Sequence, residues 1–229
     1  MKNICLIPAR GGSKRIPKKN IKIFHGKPLI YWSIYKAKAS ELFDEIYVST
    51  DDLEIAEIAE SYGAKIPFIR PKDISDDYAN DKDVRDHFLR WMKKNNMQAE
   101  ILCYLYATAP FITKETLCGC RNLLLKSGSF SVHTVTSFPY PVQRALEQNE
   151  NGAINFKWPK YSNSRSQDLP ELLHDAGQCY FFNLNIYSQG GDIFGYKIPR
   201  IYANDIDTLE DFEIAEKLFK IIFNDNQKI

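Results

Sequence analysis

Hydrophobic positions along this chain fall into two alternating patterns: short apolar runs, and longer stretches in which apolar side chains recur with helical spacing. The short runs predict strands over 4–7, 45–50, 65–69, 101–106, 130–135 and 178–183. The longer stretches predict helices over 28–39, 53–62, 83–94, 114–126 and 208–223. Because strands alternate with helices, we expect an α/β fold with a mainly parallel sheet covered by helices.

The pattern changes over residues 138–176, which are rich in Pro, Asn, Gln and Ser and show no helical periodicity. A long surface loop is one interpretation, but compact domains rarely contain structureless loops longer than about 15 residues. We therefore predict a small β-rich insertion in a domain formed by residues 1–137 and 177–229. Its apolar side chains need a covering surface, which a second copy of the chain would provide through a two-fold interface.

A basic loop, residues 8–20, follows the first predicted strand. We expect Gly11 and Gly12 to adopt positive φ, so that their N–H groups turn inward as an anion-binding nest. The loop has neither the P-loop nor the dinucleotide fingerprint. A nucleic-acid patch, a nuclear-localisation signal and a solvated charged loop are the alternatives to a polyphosphate site. Five side chains supply its cationic donors: Arg10, Lys14, Arg15, Lys18 and Lys19.

Asp205 and Asp207 form a second candidate centre just before the last predicted helix. Residues two apart in an extended segment face the same side, so both carboxylates could bind Mg²⁺, which prefers hard oxygen ligands. The alternative is structural, because residues 207–210 also match a capping box in which Asp207 would be the helix N-cap.

The overall composition limits the classes of partner and the cellular compartment that we expect for this protein. A formal net charge of +1 over 229 residues gives no general support for nucleic-acid binding. No apolar run approaches the roughly 18 residues of a membrane span, and no signal-like segment is recognisable. The five cysteines are an odd number without a disulfide framework, so we expect reduced thiols and a cytoplasmic location.

The stretch Pro8–Lys14, followed by Lys19 and Asn20, resembles the signature of the CMP-sugar synthetases. These cytidylyltransferases activate sialic acids and related 2-keto-3-deoxy acids. Arg15 stands where the sialic and legionaminic acid enzymes more often carry Gly. In this respect the motif resembles that of the branch of the family that acts on pseudaminic acid. The resemblance runs nearly end to end. It implies a three-layer Rossmann-like nucleotidyltransferase domain, with the insertion as an arm that builds a homodimer.

The resemblance also implies an activity: Mg²⁺-dependent transfer of CMP from CTP to the anomeric C2 hydroxyl of a nine-carbon 2-keto acid sugar. With pseudaminic acid the products would be CMP-pseudaminic acid and pyrophosphate, for surface glycan or flagellin glycosylation. The metal would lie on Asp205 and Asp207. The catalytic residues implied are Arg10, Lys14, Lys19 and Asp207. The nucleotide would bind Ala9, Arg10, Gly11, Gly12, Ser13, Lys14, Lys19, Asn20 and Arg70. The sugar would bind Tyr106, Thr108, Arg144, Arg165 and Gln167, with the arm residue Arg165 serving the partner subunit.

Several of these roles have structural alternatives. Tyr106 departs from the Gln usual in sialic acid synthetases, which favours a different sugar, but it could equally be a core aromatic. Arg70 could merely end a strand, and Arg165 could be an exposed loop residue. The same reaction on N-acetylneuraminic, legionaminic or 3-deoxy-manno-octulosonic acid is the neighbouring functional alternative. A nucleotide-sugar sensor without turnover is the non-enzymatic one.

Overall fold

The computed structural model of the protein describes residues 2–76 and 79–223. Its strands are β1 (Asn3–Pro8), β2 (Ile23–Phe24), β3 (Lys27–Pro28), β4 (Glu45–Ser49), β5 (Ile101–Leu105), β6 (Ser131–Ser137), β7 (Leu146–Gln148), β8 (Ile154–Phe156), β9 (Leu173–Asn183) and β10 (Ile193–Lys197). Its α-helices are α1 (Leu29–Ser40), α2 (Leu53–Ser61), α3 (Asp81–Lys94), α4 (Lys114–Ser127) and α5 (Leu209–Phe223).

Six strands form one sheet in the order β10-β6-β9-β5-β1-β4. Strand β1 pairs in parallel with β4 and β5, and β10 pairs in parallel with β6. Strand β9 lies between β5 and β6 and is antiparallel to both. The predicted mainly parallel sheet is confirmed, with one reversed strand that the chain's alternation of strands and helices does not reveal.

Helices cover both faces of this sheet, because side chains of a strand alternate between the faces. Cys5 and Ile7 of β1 belong to the apolar cluster shared with α1, α2 and α4. Ile4 and Leu6 of the same strand belong to the cluster shared with α3. A third cluster packs α5 against α1 and β2 around Phe24. The predicted three-layer arrangement is therefore present.

Local sequence signals set most helix boundaries correctly. The Asp52 carboxylate caps α2 by accepting hydrogen bonds from the Glu54 and Ile55 N–H groups, and Thr113 caps α4. The predicted strand over 65–69 is reduced to isolated bridges at its two ends, Tyr47 to Lys65 and Thr50 to Ile69. Within the described ranges, no helix is both long and apolar enough to cross a membrane.

Two differences concern the second half of the chain. Strand β10 was not predicted; it lies at the sheet edge beside β6, after a Gly190-Gly191 pair whose φ angles are positive. Strand β9 begins at Leu173 and pairs with the end of β6, so the segment outside the main sheet is 138–172 rather than 138–176. That segment contains the β7–β8 hairpin and short helical turns.

Candidate active site

Polar segments converge where the parallel strands end. Strand β1 leads into the basic loop, β4 into Thr50 and Asp51, and β5 into Tyr106 and Thr108. Because parallel strands present their carboxyl ends at one sheet edge, these segments are neighbours. Ligands of open α/β sheets bind at this edge. The segment 203–207 before α5 lies beside it and completes the site.

Two adjoining clefts occupy this edge and share Lys19, Tyr106 and Thr108. The first cleft has a volume of about 270 Å³ and is lined by the predicted nucleotide residues Arg10, Asn20 and Arg70, among others. The second has a volume of about 590 Å³ and is lined by Asp205, Asp207 and the start of β9, among others. The structure thus brings the basic loop, the Asp pair and the predicted sugar residues of β5 to one continuous site.

The glycines of the basic loop act differently from the prediction. Neither Gly11 nor Gly12 has positive φ, so the predicted nest conformation is wrong. Gly11 is required for a different reason, because a Cβ there would lie 2.6 Å from Oδ2 and 2.8 Å from Cβ of Asp52. Its N–H donates to Asp51 Oδ1 at 2.9 Å. The loop is therefore packed tightly against the end of β4.

Arg10 and Asn20 brace the loop across the first cleft. The Arg10 guanidinium donates to the Asp76 carbonyl at 2.8 Å, and the Asn20 amide donates to the Arg10 carbonyl at 2.9 Å. Asn20 is buried, so its side chain holds the loop's backbone in place. Lys14 is exposed, Ser13 is half-buried and donates its N–H to the Gly11 carbonyl, and Ala9 is buried.

Arg70 lies at the floor of the first cleft and is only 4% exposed. Its Nε donates to Ser75 Oγ at 3.0 Å, and its terminal nitrogen lies 3.9 Å from Asp51 Oδ1. Burial lowers the pKa of Arg70, and the Asp51 carboxylate opposes that effect. A buried guanidinium held in this way is a structured cation rather than a plain strand terminator.

Asp207 is held by two cations. Arg15 contacts its Oδ2 at 2.6 Å, and Lys19 contacts its Oδ1 at 3.1 Å while also donating to the Ile206 carbonyl at 2.6 Å. Asp205 lines the same cleft. The pKa of Asp205 is raised, first by burial around its carboxyl group and then by the negative charge of Asp207. Two carboxylates that repel each other in one cleft are arranged to share a cation.

The alternative in which Asp207 caps the last helix is wrong. Thr208 and Asp211 exchange hydrogen bonds instead: the Thr208 N–H donates to Asp211 Oδ2 at 2.8 Å, and the Asp211 N–H donates to Thr208 Oγ1 at 3.2 Å. This reciprocal pair is a capping box one residue further along the chain. The Asp207 carboxylate is therefore left to the cleft.

The Asp pair fits a magnesium ion of the kind that substrates help to hold. Mg²⁺ is bound in such enzymes by one or two carboxylates together with substrate phosphates, rather than by a cage of protein ligands. Within the described residues, no group of three or more His, Cys, Asp or Glu side chains is placed to hold a metal. Asp205 and Asp207 are the carboxylates that would hold the ion.

Sequence reasoning missed a tyrosine network in the wall between the clefts. Asp81 accepts hydrogen bonds from the hydroxyls of Tyr104, at 2.9 Å, and Tyr106. Asp175 accepts from the hydroxyl of Tyr180, whose ring meets Tyr106 edge to face at 5.6 Å. Burial raises the pKa of all three tyrosines, and the carboxylates add to that shift. The hydroxyls are therefore protonated donors, and Tyr106 is both core aromatic and cleft wall.

The predicted sugar residues of the insertion are not brought to the clefts of their own chain. Arg144, Arg165 and Gln167 are exposed and are absent from the described lining of either cleft. Arg165 pairs with Asp168 at 2.7 Å, within its own short turn. Arg144 instead borders a groove of the insertion together with Ser166. These residues lie outside the intrachain site.

Comparison with known proteins identifies the family of this chain. A pseudaminic acid cytidylyltransferase of Campylobacter jejuni subsp. jejuni serotype O:2 is 44% identical over 226 residues, which cover 96% of this chain and 97% of that protein. A CMP-N,N'-diacetyllegionaminic acid synthase of Legionella pneumophila subsp. pneumophila is 28% identical over 242 residues, covering 96% and 97%. In fold, a CMP:2-keto-3-deoxy-manno-octonic acid synthetase complexed with CTP matches with a TM-score of 0.66 at 18% identity, over 96% of this chain and 99% of that one. The family model described as Cytidylyltransferase matches residues 4–224, and the chain belongs to this cytidylyltransferase family.

Proposed function

We propose that this protein transfers CMP from CTP to the C2 hydroxyl of pseudaminic acid, releasing pyrophosphate. The observation that carries the proposal is the joining of a cation-lined cleft to a carboxylate-lined one through Lys19, Tyr106 and Thr108. A nucleotide in the first cleft would present its α-phosphate to a sugar in the second. The identity of 44% with a pseudaminic acid cytidylyltransferase favours this sugar over others.

The chain's own groups divide the work between binding and orientation. Arg10 and Lys19 line the first cleft and supply positive charge for the triphosphate, and Arg70 supplies a buried cation at the nucleoside end. Lys14, an exposed residue of the same loop that lines neither cleft in the described structure, would add its charge from the loop. Charge-assisted donors fixed in this way stabilise the negative charge that shifts to the leaving pyrophosphate. Holding the sugar hydroxyl in line with the α-phosphorus supplies the other main contribution.

Asp205 and Asp207 are the residues that would hold Mg²⁺. When bound, Mg²⁺ neutralises phosphate charge and lowers the pKa of a nearby hydroxyl. None of the tyrosines in the cleft wall can serve as a general base near neutral pH, because burial raises their pKa values.

The wall formed by Tyr106 and Tyr180 suits a sugar with apolar substituents. Both hydroxyls are occupied by carboxylates, so the rings offer mainly apolar surface to the cleft. Methyl groups of acetamido substituents would match this aromatic surface better than a chain of hydroxyls would. The wall therefore favours an acid sugar with acetamido groups, and the choice of pseudaminic acid within that class rests on the sequence identity.

The test is incubation of the purified protein with CTP, Mg²⁺ and each acid sugar, scored by pyrophosphate release. We expect release with pseudaminic acid and much lower kcat/KM with N-acetylneuraminic, legionaminic and 3-deoxy-manno-octulosonic acids. Calorimetric titration with CTP is run in parallel. Release with another sugar alone would overturn the proposed substrate, and CTP binding without release from any sugar would favour a sensor.

We also propose that the protein is a homodimer in which the insertion completes the partner's sugar site. Support comes from exposed apolar side chains on the insertion, with Tyr140 81% and Ile154 59% exposed, and from the position of Arg165 outside its own clefts. An Arg suits the sugar carboxylate because its guanidinium can bind both oxygens.

Mixed-dimer complementation tests this assembly. Arg165→Ala and Asp207→Ala should each be nearly inactive alone. Refolded together they should regain activity, because one site of each heterodimer is then wholly wild type. Mixed dimers seen by mass spectrometry without regained activity, or a strictly monomeric protein at assay concentrations, would refute the arrangement.

A further inference from the structure

Arg15 occupies an unusual place for a cation of a phosphate-binding loop. Its guanidinium is directed at a carboxylate, 2.6 Å from Asp207 Oδ2, although its side chain is 65% exposed. The opposite oxygen of the same carboxylate is contacted by Lys19. Both oxygens of Asp207 therefore have cationic partners.

This arrangement weakens metal binding at Asp207. Each of its carboxylate oxygens already contacts a cation, and two positive charges at close range repel a divalent cation. The two pairs are not equivalent. The Lys19 side chain is only 18% exposed and is also anchored to the Ile206 carbonyl. Arg15 is the exposed partner of Asp207. A triphosphate in the neighbouring cleft would offer its guanidinium oxygens in the fork geometry that it prefers.

We propose that Arg15 is a positioning residue that closes Asp207 to divalent cations until the triphosphate of CTP draws its guanidinium away. The metal would then join the Asp pair only together with the nucleotide. This inference rests on the proposed function for the identity of the nucleotide and for the metal site. It concerns the order in which the nucleotide and the metal bind, and this order does not depend on which sugar the protein uses.

The experiment compares Arg15→Gln with Lys18→Gln. Both variants remove one cation from the same loop. Lys18, which the sequence placed among the loop's phosphate donors, pairs instead with Glu54 on α2 and lines neither cleft in the described structure, so it serves as the control. Binding of Mn²⁺ without nucleotide is followed by water-proton relaxation enhancement, and binding of CTP in EDTA by calorimetry. Circular dichroism and melting temperature confirm that each variant is folded.

Removing an exposed ion pair changes an equilibrium by about two- to fivefold. We expect Arg15→Gln to bind Mn²⁺ about two- to fivefold more tightly than wild type without nucleotide, and to bind metal-free CTP more weakly by a similar factor. Lys18→Gln should change both constants by less than about 1.5-fold. The gain in Mn²⁺ affinity should vanish in Arg15→Gln/Asp207→Asn, because it depends on the freed carboxylate.

The proposal is overturned if Arg15→Gln binds Mn²⁺ no more tightly than Lys18→Gln, if its CTP affinity is unchanged, or if the Asp207→Asn background keeps the gain. None of these measurements involves a sugar or turnover. Failure of the proposed substrate would therefore leave this result intact, and failure of the Arg15 proposal would leave the pyrophosphate-release result intact.

Discussion

Replacing Gly11 by Ala tests whether close packing, rather than backbone freedom, explains the glycine pair. The new methyl carbon would lie 2.8 Å from Asp52 Cβ and 2.6 Å from its Oδ2. Carbon atoms in contact sit about 3.5–4.0 Å apart, so the Asp52 side chain must yield by roughly 1 Å. That movement pulls its carboxylate away from the Glu54 and Ile55 N–H groups that it caps.

The expected cost follows from that displacement. Loss of an N-cap costs about 0.5–2 kcal/mol, and overpacking costs about 1–3 kcal/mol. The two effects share one movement, so we expect about 1–3 kcal/mol in total, not their sum. For a chain of this size each kcal/mol lowers the melting temperature by about 2–4 °C. Gly11→Ala should therefore melt roughly 2–12 °C below wild type in a thermal scan.

Gly12→Ala is the matched control. Both glycines lack positive φ, but a Cβ at Gly12 meets no described atom within 4 Å. Its melting temperature should be unchanged or slightly higher, since Ala reduces the entropy of the unfolded chain. Equal destabilisation of the two variants would refute the packing argument. The double variant Gly11→Ala/Asp52→Gly should melt close to Asp52→Gly alone, because the side chain that clashes with the new methyl group is gone. Asp52→Gly itself should cost little, because Gly is a tolerable N-cap.

The remaining predictions concern the two ends of the site. Asp205→Asn should abolish most pyrophosphate release yet raise the melting temperature at pH 7. The raised pKa of Asp205 means that its charge costs stability above that pKa, and the advantage of Asn should shrink as the pH falls through it. Asp207→Asn should also abolish most release, with little change in melting temperature because Thr208 caps α5; wild-type turnover would exclude it as a metal ligand. Lys14→Ala should lower kcat/KM for CTP roughly tenfold or more, as expected for a charge-assisted contact, without a matching loss of stability; unchanged kinetics per folded molecule would refute its phosphate role.

Much of the fold was predictable because it depends on interactions between residues that are close in sequence. The apolar run of β1, the caps at Asp52 and Thr113, and the helical spacing of α4 each depend on neighbours in sequence. The reversal of β9 is not local. Its second half, residues 178–182, is buried on both faces, so the pattern there is the same whichever way the strand runs. Direction is set by the connection through the insertion, which carries no simple periodicity.

The candidate site divides in the same way. The basic loop and the Asp pair were recognisable because their chemistry is concentrated in short stretches. The Asp81 bridge between Tyr104 and Tyr106 was not, since its carboxylate comes from the start of α3 and its donors from the end of β5. The role of Gly11 was misjudged for a related reason. The residue that excludes a Cβ at Gly11 is Asp52, in the loop after β4, and the two are neighbours only because β1 pairs with β4 in this register.

Cations of the site are already paired with the site's own carboxylates, and these pairs affect how strongly it binds a polyphosphate. Asp51 accepts the Gly11 N–H and lies 3.9 Å from Arg70, while Asp207 holds two further cations. A nucleotide therefore exchanges existing partners for new ones, and the net gain for each contact is far smaller than its gross strength. Such an exchange favours the ligand that replaces all partners at once. A triphosphate can reach the whole loop, whereas a lone phosphate would leave most of these pairs in place.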